Sequence, residues 1–371
     1  MPVLNASTLK PSLYFSIQGK AVSNKLPELF SLYRKILLEP QQDFTVKQQR
    51  LYQMLLEEKA RLEYMLQAAG HSTVMTRLKA RYRPEHFMVE QFSGISQLDF
   101  LKDLQKRLAA DPEKVLQDFD ILRSLIFSSR NALLDITADK SLIDRTIREG
   151  EELFAVLPEK ADAIEGIRIS ELKSMSDSPK AEAFVTQGQV NYVGKAANLR
   201  DLDVQFNGSS QVISRWLRMG PLWENIRVAG GAYGAFCSLD KTGGTWCYAS
   251  YRDPNVLETL QNYDNMGKIL CNLKLDKSQL DQAIIGAVGD LDAYLLPDAK
   301  GSKALGWFLT GETSEQRQKK REEMLSATQE DFKNFGDALD AIATNGAISV
   351  VGGNKAETVA RQEGWAAREL Q

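Results

Sequence analysis

Asn225-Ile-Arg-Val-Ala-Gly-Gly-Ala-Tyr-Gly-Ala-Phe-Cys237 is the stretch on which this 371-residue chain turns. Gly230-Gly231-Ala-Tyr-Gly234 has the look of a phosphate loop, but it lacks the Lys-Ser/Thr ending of a Walker motif. It also runs into a strand, whereas a phosphate cradle needs a helix N-terminus next. A tight bend where only glycine fits is the plainer account. Arg227 and Tyr233 flank the glycine pair. On a straight strand they would stand about 20 Å apart, but a bend at Gly230-Gly231 lets both side chains converge. A guanidinium and a phenol brought together supply hydrogen-bond donors for a peptide carbonyl or a developing oxyanion. Spacing alone leaves open an ordinary salt bridge beside a packed tyrosine.

Working outward, Ala235–Leu239 and Thr245–Tyr251 alternate as strands, joined by the turn Asp240-Lys-Thr-Gly-Gly244. A strand is expected near Phe184–Gly194 and a helix over Ser209–Arg218. Asp253-Pro254 should cap a helix reaching Leu270. Further helices are predicted over Lys277–Tyr294, Lys300–Thr310, Ser314–Met324 and Gln329–Thr344, then a strand over Ala347–Val351 and a polar tail of helical composition.

The first half follows a similar order. Leu13, Phe15 and Ile17 predict a strand over Ser12–Gln18, and a helix starts at Lys25. Thr45 and Gln48 form a capping box for a long helix that Gly70 ends. Helices follow over Ser72–Tyr82, Gln97–Leu108 and Pro112–Phe127. Asn131–Thr137 reads as a strand, and Ser141–Leu157 as a helix boxed by Ser141 and Asp144. Residues 158–183 are polar, with Gly166–Leu172 as a candidate short strand. Lys35-Ile-Leu-Leu38 and Lys268-Ile-Leu-Cys271 occupy corresponding points of the two halves. The class implied is α+β: two homologous domains, each a mostly antiparallel sheet with helices packed on one face. The first lacks a counterpart of Phe184–Gly234, so the chain is expected to start inside it.

Composition narrows the chemistry. A net charge of −3 argues against nucleic-acid binding. No apolar run approaches a membrane span, and the start has no signal-peptide pattern. Cys237, Cys247 and Cys271 are odd in number and lie in apolar surroundings, which predicts free thiols in a reducing compartment, with a Cys237–Cys247 disulfide as the lesser alternative. The two histidines, His71 and His86, stand fifteen positions apart without His-x-x-Glu-His, His-Glu-x-x-His or Cys-x-x-Cys. Capping or packing roles are expected of them, and no metal is assigned to this chain.

The opening stretch, Ser250-Tyr-Arg-Asp-Pro-Asn255 and the nineteen residues from Ala283 to Gly301 resemble the C-terminal half of presequence proteases, a branch of the pitrilysin/insulinase family of zinc metallopeptidases. Gly70-His71 and the helices before it resemble the third domain of the same proteins. The resemblance implies four homologous domains in two halves that close over an unfolded peptide. It makes residues 1–165 a partial third domain, 166–183 a connection and 184–371 the fourth domain. It also implies that zinc and catalytic glutamate lie in an N-terminal half not included here. The arginine and tyrosine that reach the substrate backbone in the family match Arg227 and Tyr233, with Gly230 and Gly231 forming the substrate loop.

The expected function is therefore the non-zinc-binding half of an ATP-independent peptidase of unstructured peptides such as targeting presequences. Its partners would be the N-terminal half and the peptide, and the chain alone would be inactive. The alternative is a non-catalytic peptide-binding or assembly subunit of the same fold. A bacterial cytoplasm is the expected compartment, an organelle matrix the second choice. An open sheet edge leaves room for a dimer of the isolated fragment.

Overall fold

The computed structural model describes residues 1–40, 43–130, 132–159 and 175–370. Two short antiparallel strands, β1 (Pro2–Leu4) and β2 (Pro11–Leu13), open it. The strand expected over Ser12–Gln18 is thus only its first residues; Phe15 instead stands exposed, edge-on to Phe127 with ring centres 5.5 Å apart. Seven helices follow: α1 (Leu26–Leu38), α2 (Phe44–Ala68), α3 (Gly70–Ala80), α4 (Pro84–Ser93), α5 (Ile95–Ala110), α6 (Pro112–Ile126) and α7 (Lys140–Ala155). Asp43, not Thr45, caps α2, accepting from the Val46 amide at 2.9 Å. Helix α7 starts without the Ser141–Asp144 box. Helix α4 has no counterpart among the elements expected from the sequence. Residues 132–137 form no strand, and Asn131 and Gly166–Leu172 lie outside the described residues.

All six strands of the main sheet come from the second half. They are β3 (Ala181–Val185), β4 (Tyr192–Asn198), β5 (Gly234–Leu239), β6 (Thr245–Tyr251), β7 (Ala347–Gly352) and β8 (Ala366–Glu369). Their order is β5-β6-β4-β7-β3-β8. The first three neighbours pair antiparallel; β3 pairs parallel with β7 and β8. The strand expected near Phe184–Gly194 is two strands, and the polar connection ends inside the sheet, since Ala181–Ala183 belong to β3. Between the strands lie α8 (Ser209–Met219), α9 (Leu257–Asp264), α10 (Met266–Cys271), α11 (Lys277–Leu291), α12 (Pro297–Thr310), α13 (Ser314–Leu325), α14 (Gln329–Asn345) and α15 (Asn354–Gln362). The single helix expected up to Leu270 is broken at Asn265 into α9 and α10.

Period-two alternation assigns the two faces of the sheet. On one, Trp246 and Tyr248 of β6, Val193 and Ala197 of β4 and Val350 of β7 meet Val212, Ile213 and Leu217 of α8 and Phe332, Phe335 and Leu339 of α14. On the other, Ala249, Tyr192, Phe184 and Val351 meet Leu62, Leu66, Val74, Leu98 and Leu101. Cys247 and Ala196 meet Leu78 on that same side. The second half's own helices thus cover one face, as expected of this α+β class; the first half, whose described residues form only the β1–β2 pair and not the sheet of its own expected from the sequence, covers the other. Helix α3 comes so close that a Cβ at Gly194 would lie 2.8 Å from Leu78 Cδ1. Cys237 joins the α8 side of the sheet and Cys247 the α3 side, so the two thiols do not bridge.

Candidate substrate-contact site

The segment between α8 and β5 winds as a π-helical turn, Trp223–Ala229. Such one-turn widenings shift the side chains that follow relative to a regular helix. Two features end it. Gly230 sits where a Cβ would lie 2.7 Å from the Ile226 carbonyl oxygen, and Gly231 takes φ +80°, a conformation other residues resist. The Gly231 amide donates to Arg227 O at 3.1 Å and the Ala232 amide to Ile226 O at 3.0 Å. Asn255 clamps the bend from outside, its Nδ2 donating to Gly230 O at 2.7 Å. Asn255 is held in turn by buried Asp253, which accepts from the Asn255 amide at 2.8 Å and the Thr259 hydroxyl at 2.7 Å. That explains why the Ser250–Asn255 run accompanies the glycine pair.

Past the bend, the Tyr233 amide donates to Tyr251 O at 3.0 Å, which locks Tyr233 to the end of β6. The Tyr233 ring meets Tyr251 edge-on at 5.7 Å and is 68% exposed. Arg227 lays its guanidinium over Trp223, 3.8 Å from the ring centre, and 5.7 Å from that of Tyr233. The expected convergence of Arg227 and Tyr233 is therefore present. Among the described residues neither side chain has a hydrogen-bond or ion-pair partner, so their donors remain available. Stacking on Trp223 orients the guanidinium without consuming its N–H groups.

Both residues line an open pocket of about 420 Å³ whose other walls are His71, Arg218, Met219, Trp223, Gly234, Ala235, Phe236 and Tyr251. Most of that lining is not visible from the sequence. His71, from the start of α3, packs 4.9 Å from the Tyr251 ring and 5.4 Å from Phe236. The packing role expected of it holds, but on the wall of this pocket. Burial lowers its pKa, which favours the neutral ring. Alternation along β5 and β6 could have placed Phe236 and Tyr251 together; nothing local could have brought His71 to them.

Two family models match the chain. One, described as the PreP C-terminal domain, covers residues 181–354. The other, described as associated with peptidases of family M16, subfamily C, covers residues 4–104. The chain is 36% identical to presequence protease 1, chloroplastic/mitochondrial, of Arabidopsis thaliana over 342 residues, covering 92% of this chain and 31% of that protein. The chain belongs to the presequence-protease branch of the pitrilysin family. It is also 26% identical to the mitochondrial presequence protease of Saccharomyces cerevisiae, over 98% of this chain and 37% of that protein. The chain thus spans about a third of the length of the curated relatives it matches. Among solved structures, pitrilysin superposes with TM-score 0.61 at 13% identity, over 93% of this chain and 36% of that one. An inactive M16 peptidase domain from Pseudomonas fluorescens gives 0.60 at 14%, over 94% and 77%. At those identities the likeness is one of fold. No helix among the described residues is long and apolar enough to cross a membrane.

A catalytic zinc takes three protein ligands and a water. The pocket offers one imidazole, His71, and no carboxylate. Its residues do not fit such an ion, and what they offer is hydrogen-bond donors and aromatic surface.

Proposed function

We propose that this chain is the C-terminal half of an ATP-independent zinc metallopeptidase that degrades unstructured peptides, targeting presequences among them. Residues 1–165 would be a partial third domain and 184–371 the fourth, as the family resemblance implies. Zinc would belong to an N-terminal half, the expected partner, and this chain alone would not cleave peptides. In the assembly Arg227 and Tyr233 donate to the carbonyl oxygen of the bound peptide and follow it as negative charge develops. Fixed donors aimed at a developing oxyanion act without reorganising at the moment of reaction. Trp223, Phe236 and Tyr251 give an apolar side chain of the extended peptide a surface beside that carbonyl. β5 is an edge strand of the sheet and runs along the same pocket, which suits a peptide lying extended.

The observation that carries this reading is the convergence of two unpartnered donors on one pocket, one stacked at 3.8 Å on Trp223. Its test is Arg227→Ala in the full-length enzyme. We expect kcat to fall by roughly 10²–10³, the size of one lost oxyanion donor, with KM changing far less. Tyr233→Phe keeps the ring on Tyr251 and isolates the hydroxyl. An unchanged kcat in Arg227→Ala removes the assigned role.

A further inference from the structure

A second group of side chains meets where α4 reaches the β5–β6 turn. Glu85 and His86 lie in the first turn of α4, and Asp240 is the residue on which the hairpin turns. One ligand atom from each of the three lies within 4.8 Å of the other two. His86 Nε2 stands 3.3 Å from Asp240 Oδ2. The other Asp240 oxygen, Oδ1, accepts the Thr242 amide at 3.0 Å, which fixes the carboxylate plane. A Cβ at Gly243 would fall 2.2 Å from Asp240 Oδ2, so glycine there keeps that oxygen's position open.

Glu85 is the anomaly. It is only 5% exposed, and both carboxylate oxygens are buried without a hydrogen-bond partner among the described residues. Buried carboxylates are normally paired, hydrogen-bonded or bound to a metal. The nearby cation does not pair with it. Arg83 directs its Nε to Gly243 O at 2.9 Å and its Nη2 to Asn198 Oδ1 at 3.3 Å. That guanidinium and the α4 N-terminus both oppose a cation; two carboxylates outweigh them.

We propose that Glu85, His86 and Asp240 form a site for a borderline divalent cation of the Zn²⁺, Co²⁺ or Mn²⁺ class, joining α4 of the first half to the β5–β6 turn of the second. One imidazole and two carboxylates are the donor set these ions favour, with water completing the shell. At ligand distances of about 2.1 Å the donors of a tetrahedral site stand about 3.4 Å apart. The His86–Asp240 separation already matches, and Glu85 offers an oxygen within 4.8 Å of both. The site shares no residue with the Arg227–Tyr233 pocket. Sequence spacing assigns no metal to this chain because the third ligand lies 154 positions from His86.

The probe is Co²⁺, titrated into the 371-residue chain carrying Cys271→Ser so that the half-exposed thiol does not compete. One Co²⁺ per chain is expected, with the visible absorption of nitrogen and oxygen coordination and a raised melting temperature. Glu85→Gln and His86→Gln should each weaken binding by about tenfold or more. Should either variant fail to fold, the location is read on the Cys271→Ser chain by paramagnetic broadening, expected at residues 83–87 and 240–243. No binding with Co²⁺ in large excess overturns the proposal. So does binding that both variants leave unchanged, or broadening elsewhere.

Discussion

The two faces of the six-stranded sheet are held in different ways. The face toward α8 and α14 is closed by residues from the same half of the chain and is almost wholly apolar, with Trp246, Tyr248, Val212 and Phe332 all buried. Its buried charges include Lys195, at 2.5 Å from Asp264 and 2.7 Å from Ala343 O, and Asp253, which accepts from Thr259 at 2.7 Å. The face toward α3 and α4 is closed by residues about a hundred positions away and carries charges at β3, one strand in from the edge. Arg77 of α3 binds both oxygens of Glu182 on β3, at 2.8 and 3.0 Å, and Glu90 of α4 at 3.3 Å. Apolar packing suffices where the partners belong to the same half of the chain. Where two halves must dock in one register, directional polar contacts add selectivity that apolar area alone lacks.

Removing Arg77 should break that contrast most. Arg77→Met leaves two buried carboxylates without their cation, and we expect a loss of about 3–5 kcal/mol. The loss should be uneven. Amide exchange should quicken in α3 and α4 while α14 keeps its protection. Equal acceleration throughout would mean that the two faces unfold as one unit.

Gly194→Val tests the same face sterically. The added side chain meets Leu78 and Val74, for which a Cβ already stands at 2.8 and 3.0 Å. A cost of about 1–3 kcal/mol is expected. Combining it with Arg77→Met should give less than the sum, since both substitutions loosen the same contact. Full additivity in thermal unfolding would place their effects apart.

Asp240 gives the joint a pH signature. Burial alone would raise its pKa, but His86 and the Gly243 and Thr242 amides bind the carboxylate and hold it at about 2, below its ordinary 3.8. A group depressed in the folded state stabilises above its unfolded pKa, and that stability is lost as pH falls through the folded value. Asp240 should therefore supply roughly 2 kcal/mol at neutral pH, disappearing between about pH 4 and pH 2. Asp240→Asn should flatten the acid limb of stability against pH in that window in metal-free chain. Glu85, His86 and Arg83 face the same group, so the comparison is with the parent chain under identical buffer. An unchanged limb would mean that the Asp240 carboxylate contributes nothing to stability in that window.

Legibility from sequence followed the same division. The β5–β6 hairpin, α8, α11 and α14 can be read because their apolar period and turn residues are local. β3 and β4 merge in the reading because β4 is buried at every position and so shows no alternation. β8, Ala-Ala-Arg-Glu, is exposed throughout and offers no apolar signal at all. Helix α4 escapes because Glu85 and Glu90 lie on its buried side, where a pattern search expects apolar residues. Residues 132–137 have a strand's alternation but no neighbour to pair with; Leu134 instead packs against Gly150. For the site, Arg227, Gly230, Gly231 and Tyr233 are legible because a single short segment contains them. His71 and the Glu85–His86–Asp240 group depend on how the two halves dock, and no local pattern records that.

The smallest change expected to separate the two faces is Tyr82→Phe. The Tyr82 hydroxyl donates to Ala196 O on β4 at 2.7 Å, from the end of α3 into the middle of the sheet. Burial pushes its phenol up to about 12, so it remains a donor across the whole range in which the fold is measured. Removing the oxygen leaves the ring's packing intact but a half-satisfied carbonyl behind it, since Ala196 is also paired in the sheet. The cost should be about 0.5–1.5 kcal/mol, seen as a lower denaturation midpoint at unchanged m-value. In a chain already carrying Arg77→Met, with α3 loosened from β3, the same substitution should cost less. A full-sized effect in that background would show that the α3 end stays docked without Arg77, and that each polar contact holds its own stretch of the joint independently.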